Sequence, residues 1–103
     1  MADPMRIRVA EKDGLVTVRI LMSHEMETGQ RKDSSGNLVP AHFIRSVLAT
    51  YQGRTVLSAQ WGTAVAKNPF LEFSFKGGKK GEKVVVSWED NRGDKRTDEA
   101  TIN

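Results

Sequence analysis

Apolar and polar residues alternate one for one along most of this chain, and a period of two restricts it to extended strands. Successive side chains of a strand point to opposite faces, so residues two apart share a face. Ile7 and Val9 alternate with Arg6 and Arg8. After Asp13-Gly14, a turn signal, Val16, Val18, Ile20 and Met22 occupy one side of the next run. Leu71, Phe73 and Phe75 alternate with Glu72, Ser74 and Lys76, and Val84, Val86 and Trp88 with Val85, Ser87 and Glu89. Further turn signals stand at Gln52-Gly53 and across Asp90-Asn91-Arg92-Gly93. Lys95 to Ile102 reads as a polar last strand at an edge. No stretch has helical periodicity. About seven short strands separated by turns predict an all-β, immunoglobulin-like sandwich of two antiparallel sheets. The 103 residues form a single domain, long enough to bury a core without staples.

Composition excludes several classes of function. There is no cysteine, so thiolate nucleophiles, disulfides and Cys-ligated metals are ruled out. The net charge is only +3, and acidic residues are scattered among the basic ones. The densest basic cluster, Lys76, Lys79, Lys80 and Lys83 around Gly77, Gly78 and Gly81, has no interleaved aromatics for base stacking. It is expected to be a solvated hairpin loop, and no nucleic acid is expected as a partner. No apolar run approaches the ~20 residues of a membrane span. The N-terminus has no apolar stretch of signal-peptide length.

Two segments depart from the simple alternation. Residues 23 to 40 are polar and Gly-containing, a loop with at most a short helical turn, and loops this long in compact domains are usually functional or mobile. The strand from Phe43 to Tyr51 is apolar on both sides: Phe43, Val47, Ala49 and Tyr51 on one, Ile44 and Leu48 on the other. The following strand adds Val56 opposite Leu57, Ala59 and Trp61. One sheet of a sandwich needs only one apolar face. The surplus implies a second covered face, under a protein partner or under the chain's own long loop.

Catalytic patterns are weak. His24-Glu25 begins like a zinc-protease motif, but Thr28 stands where the second histidine is required. Two histidines, His24 and His42, with Glu25 and Glu27 make an incomplete metal set. No Gly-x-Ser-x-Gly elbow occurs. Asp33-Ser34-Ser35-Gly36-Asn37 reads as a turn rather than a calcium loop. Trp61 and Trp88 read as core residues.

Specific stretches then become recognisable. Ser23-His24-Glu25-Met26-Glu27-Thr28-Gly29, followed by Arg31-Lys32-Asp33, Gly36-Asn37, Pro40 and Phe43-Ile44, resembles the signature of the SoxZ family. Asn68-Pro69-Phe70-Leu71-Glu72-Phe73 and the stretch from Trp88 to Asp94 resemble the same family. The resemblance implies a non-catalytic subunit, without cofactor, of the SoxYZ carrier of thiosulfate oxidation. The partner, SoxY, would bear the sulfur-carrying cysteine on a flexible arm. It would also bring this chain, which has no signal peptide of its own, into the periplasm. Transient contacts with other Sox enzymes are expected, and none with a membrane. On this reading Phe43, Val47, Leu48, Tyr51 and Val56 are candidates for the contact with SoxY. His24, Glu25, Met26, Glu27 and Arg31 are candidates for a docking loop. Two alternatives compete: a metal-dependent enzyme using His24, Glu25, Glu27 and His42, and a ligand-binding sandwich with Tyr51 and Trp61 exposed.

Overall fold

The computed structural model describes residues 3–103. Seven strands form in chain order: β1 (Arg6–Lys12), β2 (Leu15–Leu21), β3 (Ile44–Tyr51), β4 (Arg54–Gln60), β5 (Phe70–Lys76), β6 (Lys83–Asp90) and β7 (Lys95–Thr101). They build a three-stranded sheet in the order β1-β2-β5 and a four-stranded sheet in the order β4-β3-β6-β7, with every pairing antiparallel. This is the expected all-β sandwich.

The hairpin turns follow from local chemistry. Asp13-Gly14 and Gln52-Gly53 both take positive φ at each central position, the conformation whose twist matches the strands it joins. Residues of one parity then face inward. Val9, Val16, Val18 and Ile20 from the first sheet meet Val47, Ala49, Tyr51, Val84, Val86 and Trp88 from the second. Met5, Met22, Met26, Ile44 and Ile102 complete the buried core. Each fully buried aliphatic of this size contributes roughly 1.5–3 kcal/mol, which holds the register against a one-residue slip. The last residue joins the two sheets: Glu11 N–H donates to Asn103 O at 2.9 Å, and Asn103 N–H to Val9 O at 3.0 Å. The molecule is elongated, 53 × 20 × 20 Å.

Four expectations are revised. The Lys-Gly segment after β5 is not a hairpin loop, because β5 and β6 belong to different sheets and residues 77–82 cross between them. Gly78 is buried in that crossing, where a Cβ would lie 2.4 Å from Val16 Cγ2. Ile44 does not share a face with Leu48. A bulge between Ile44 and Ser46 adds a residue to β3, reverses the parity and turns Ile44 into the core. The loop between β2 and β3 contains no helical turn, only isolated bridges Glu27–His42 and Lys32–Leu38. Tyr51 is interior, stacked near Phe75 at 5.2 Å. Its hydroxyl donates to Glu82, and that hydrogen bond together with burial raises its pKa. A ligand-binding reading that needs Tyr51 exposed therefore fails.

Candidate functional site

Asp90 ends β6 on the inward parity already taken by Val84, Val86 and Trp88, so its carboxylate is carried into the interior and is 1% exposed. A buried carboxylate must be satisfied on every side. His24, two residues past Met22, and His42, two residues before Ile44, meet there. Asp90 Oδ2 accepts from His24 Nε2 at 3.0 Å and from His42 Nε2 at 2.8 Å. Oδ1 accepts the amides of Arg92 and Asp94, both at 2.9 Å. Burial alone would raise the Asp90 pKa. The hydrogen bonds from the two imidazoles and the two amides outweigh it and hold the carboxyl below its ordinary range.

The tautomer of His24 follows from its other nitrogen. Nδ1 accepts the Met26 N–H at 3.1 Å, so the ring proton sits on Nε2 and points at Asp90. The three ligand-type atoms of His24, His42 and Asp90 lie within 4.8 Å of one another. A metal there would require His24 Nε2 to lose its proton and the Met26 amide to lose its acceptor. Metal-bound histidines normally donate from the second nitrogen, the reverse of this arrangement. With both His24 nitrogens engaged, none is free to deprotonate a serine. The arrangement is a proton-filled clamp, and Glu25 and Glu27 do not join it. Glu25 lies 3.6 Å from Lys67 on the surface, and Glu27 holds Arg31 at 2.9 Å.

The clamp pins the neck of the loop. The loop's main chain pairs at Glu27 and His42, with amides to carbonyls at 2.6 and 3.0 Å. Ile44 N–H points to Met26 Sδ at 3.3 Å. Asn91 Oδ1 accepts from Phe43 N–H at 2.8 Å, and Asn91 Nδ2 donates to Ala41 O at 2.9 Å. Asn68 Oδ1 accepts from His24 N–H at 3.0 Å. The tip folds on Asp33, whose Oδ1 accepts from Ser35 and Asn37 N–H, as the turn reading expected. Of the docking-loop candidates, His24 and Met26 are buried anchors, Glu27 is half-buried, and Glu25 and Arg31 are exposed.

The partner-face candidates divide in the same way. Val47 and Tyr51 are core residues and drop out of any surface contact. Phe43 and Val56 are half-buried, and Leu48 is 41% exposed on the outside of the four-stranded sheet. Its outward row runs Ser58–Leu48–Ser87–Thr97, flanked by Gln60–Ser46–Glu89–Lys95 and Thr55–Thr50–Val85–Glu99. Ser46, Leu48, Ser87 and Thr97 line an open concavity, so the long loop does not cover this face. Trp61 is half-buried.

Asp90 was hidden in the sequence because it reads as the first residue of a turn. The usable signal was parity: the alternation through Val84, Val86 and Trp88 continues onto it, and an inward carboxylate demands hydrogen-bond donors.

Three comparisons bear on identity. A family model described as sulphur oxidation protein SoxZ matches residues 5–101. No match is found among curated protein sequences. Among solved structures, a superoxide reductase in its oxidized state is 18% identical with a TM-score of 0.65, over 96% of this chain and 86% of that one. A hypothetical protein from Pyrococcus horikoshii OT3 is 17% identical with a TM-score of 0.62, over 99% of this chain and 89% of that one. The reduced neelaredoxin of Archaeoglobus fulgidus is 19% identical with a TM-score of 0.62, over 94% and 86%. At such identities the likeness is one of fold alone. The family match spans nearly the whole chain, including the clamp residues and both sheets, and by it the chain belongs to the SoxZ family.

Proposed function

We propose that this chain is the binding subunit of a SoxYZ heterodimer, holding SoxY while the cysteine arm of SoxY carries sulfur intermediates of thiosulfate oxidation. Family membership gives it a role in the Sox sulfur-oxidation system as a subunit that is not an enzyme. The clamp fits this, since both nitrogens of His24 and both oxygens of Asp90 are engaged internally. The observation that carries the pairing is the outer face of the β4-β3-β6-β7 sheet. It presents short Ser and Thr side chains around Leu48, and its charges are already matched: Glu89 with Arg45 and Lys95 at 3.6 and 3.7 Å, Glu99 with Lys83 at 3.0 Å. Stable interfaces keep unpaired charge out of their centre and place apolar groups there. The loop, with Glu25 exposed at its neck and Arg31 exposed beyond it, is proposed as the surface that other Sox enzymes touch transiently. The periplasm is the proposed compartment, reached together with SoxY.

Co-expression with SoxY followed by size-exclusion chromatography tests this. A one-to-one complex that Leu48→Asp dissociates, with the chain still folded, is the expected result. A chain that ignores SoxY defeats the pairing, and a complex indifferent to Leu48→Asp moves the interface off this sheet.

A further inference from the structure

We propose that the outer face of the β1-β2-β5 sheet is a second docking surface, one that receives an acidic protein segment. The register sets its outward side chains in four rows: Arg6–Leu21–Phe70, Arg8–Arg19–Glu72, Ala10–Thr17–Ser74 and Lys12–Leu15–Lys76. Five cations stand against one carboxylate, and that carboxylate, Glu72, is bound to Arg19 at 2.6 Å. The whole chain carries only +3. This face therefore holds more than the entire positive excess, and the rest of the molecule is slightly acidic. Arg6, Arg8, Lys12 and Lys76 have no ion-pair partner among the described residues.

Two further observations point to a bound carboxylate. Arg8 and Arg19 are direct cross-strand partners, a like-charge pairing that destabilises a sheet and that a bridging anion relieves. Between the Arg row and the Lys row runs a row of short side chains, Ala10, Thr17 and Ser74, the last two hydrogen bonded at 3.2 Å. Shallow concavities open there, one lined by Arg8, Ala10, Thr17, Arg19 and Asn103, the other by Ala10, Thr17, Arg19, Lys12 and Leu15 with the Asp13 carboxylate at its rim. A trough three strands wide spans about 10 Å. It admits one extended segment, with guanidinium forks on one bank to grip carboxylates in pairs and ammonium groups on the other. Leu21 and Phe70, 41% and 62% exposed and directly paired, lie beyond the arginine bank as an apolar anchor.

A lipid surface fits less well, because the exposed apolar groups sit at opposite ends, Leu15 at one and Leu21 with Phe70 at the other, separated by polar rows. A single-stranded nucleic acid fits less well because Phe70 is the face's only outward aromatic ring. The face lies on the opposite side of the sandwich from Leu48, so it is independent of the surface assigned to SoxY.

The test is binding of a labelled oligoglutamate decapeptide to the full chain, alone and in complex with SoxY, at low and at physiological ionic strength. Fluorescence anisotropy should show saturable binding that weakens with salt and survives in the complex. Arg8→Glu with Arg19→Glu should cut affinity by at least about tenfold. Lys79→Glu with Lys80→Glu, on the inter-sheet crossing, should leave it unchanged. Should the arginine variant misfold by near-ultraviolet circular dichroism, Lys12→Glu with Lys76→Glu replaces it. The proposal is overturned by absence of binding, by loss in the Lys79/Lys80 control alone, or by loss of binding when SoxY is present. Tighter binding to phosphatidylglycerol vesicles or to an oligothymidylate overturns it as well.

Discussion

The two sheets of this sandwich bury much the same residues and expose very different ones. Inward, both present valines, isoleucine and aromatics at every second position. Outward, the four-stranded sheet is small, hydroxylated and charge-matched around Leu48, whereas the three-stranded sheet carries five cations against one acid. Inward parity is constrained by packing and is therefore uniform. Outward parity is free of that constraint, so a difference there has to come from what each face meets. A net charge of +3 averages the two and conceals both.

Five substitutions test how separable the faces are. The largest effect is expected at adjacent residues of β3. Val47→Asp puts a carboxylate into the core and should cost about 4 kcal/mol or more, abolishing cooperative thermal unfolding and with it both faces. Leu48→Asp, one residue along, should change stability by no more than about 0.5 kcal/mol while disrupting the proposed pairing with SoxY. Equal unfolding by the two would show that the outer face is not free.

Asp90→Asn comes next, at about 2–4 kcal/mol, because an amide cannot accept from both imidazoles and both backbone amides as the carboxylate does. Hydrogen exchange should accelerate at the loop neck and along the β3–β6 ladder next to Asp90, and much less in the β1–β2–β5 ladder. Uniform acceleration would mean that the sheets open as one unit. The same residue sets a pH dependence. Asp90 and Asp98 are both held below the ordinary carboxylate range, Asp98 first by its hydrogen bond with Arg96 and further by the Met5 amide. The unfolded chain therefore binds these protons more readily. Their stabilisation is complete above the unfolded carboxylate value of about 4 and is lost as pH falls through the lower folded values. Acid titration of Asp90→Asn should show a shallower loss, and an unchanged acid limb would remove Asp90 from that account.

Gly78→Ala strikes the crossing that joins the sheets. Its Cβ would meet Val16 Cγ2, and a loss of about 1–3 kcal/mol should appear in urea unfolding and weaken both faces together. Arg19→Ala closes the series with a small effect. Both members of the Arg19–Glu72 pair are about half exposed, so stability should fall by at most about 1 kcal/mol, less in high salt. A larger loss would mean that Glu72 was balancing the whole basic face.

The fold was legible in the chain because it rests on parity, and parity is visible wherever strands stay regular. It failed at Ile44, where a bulge in β3 inserts a residue and reverses the faces with no local mark in the sequence. The surplus apolar surface inferred for β3 was thus overcounted, since Ile44, Val47 and Tyr51 all point inward and only Leu48 points out. The Lys-Gly segment misled for a different reason. A turn signal reports that the chain reverses, and says nothing of which sheet receives the next strand. His24 and His42 were visible as candidates, but Asp90, which brings them together from 66 and 48 residues away, belongs to contacts that only the packed sandwich creates.

The molecule is only 20 Å across its two short axes, and its two dissimilar faces lie back to back across that thickness. At physiological ionic strength the screening length is about 8 Å, so charge arriving on one face is scarcely felt on the other. Two partners could then be held at once without competing for space and without sensing each other electrostatically, and their binding energies would simply add. Any communication between them would have to be mechanical, through the valine layer that separates them.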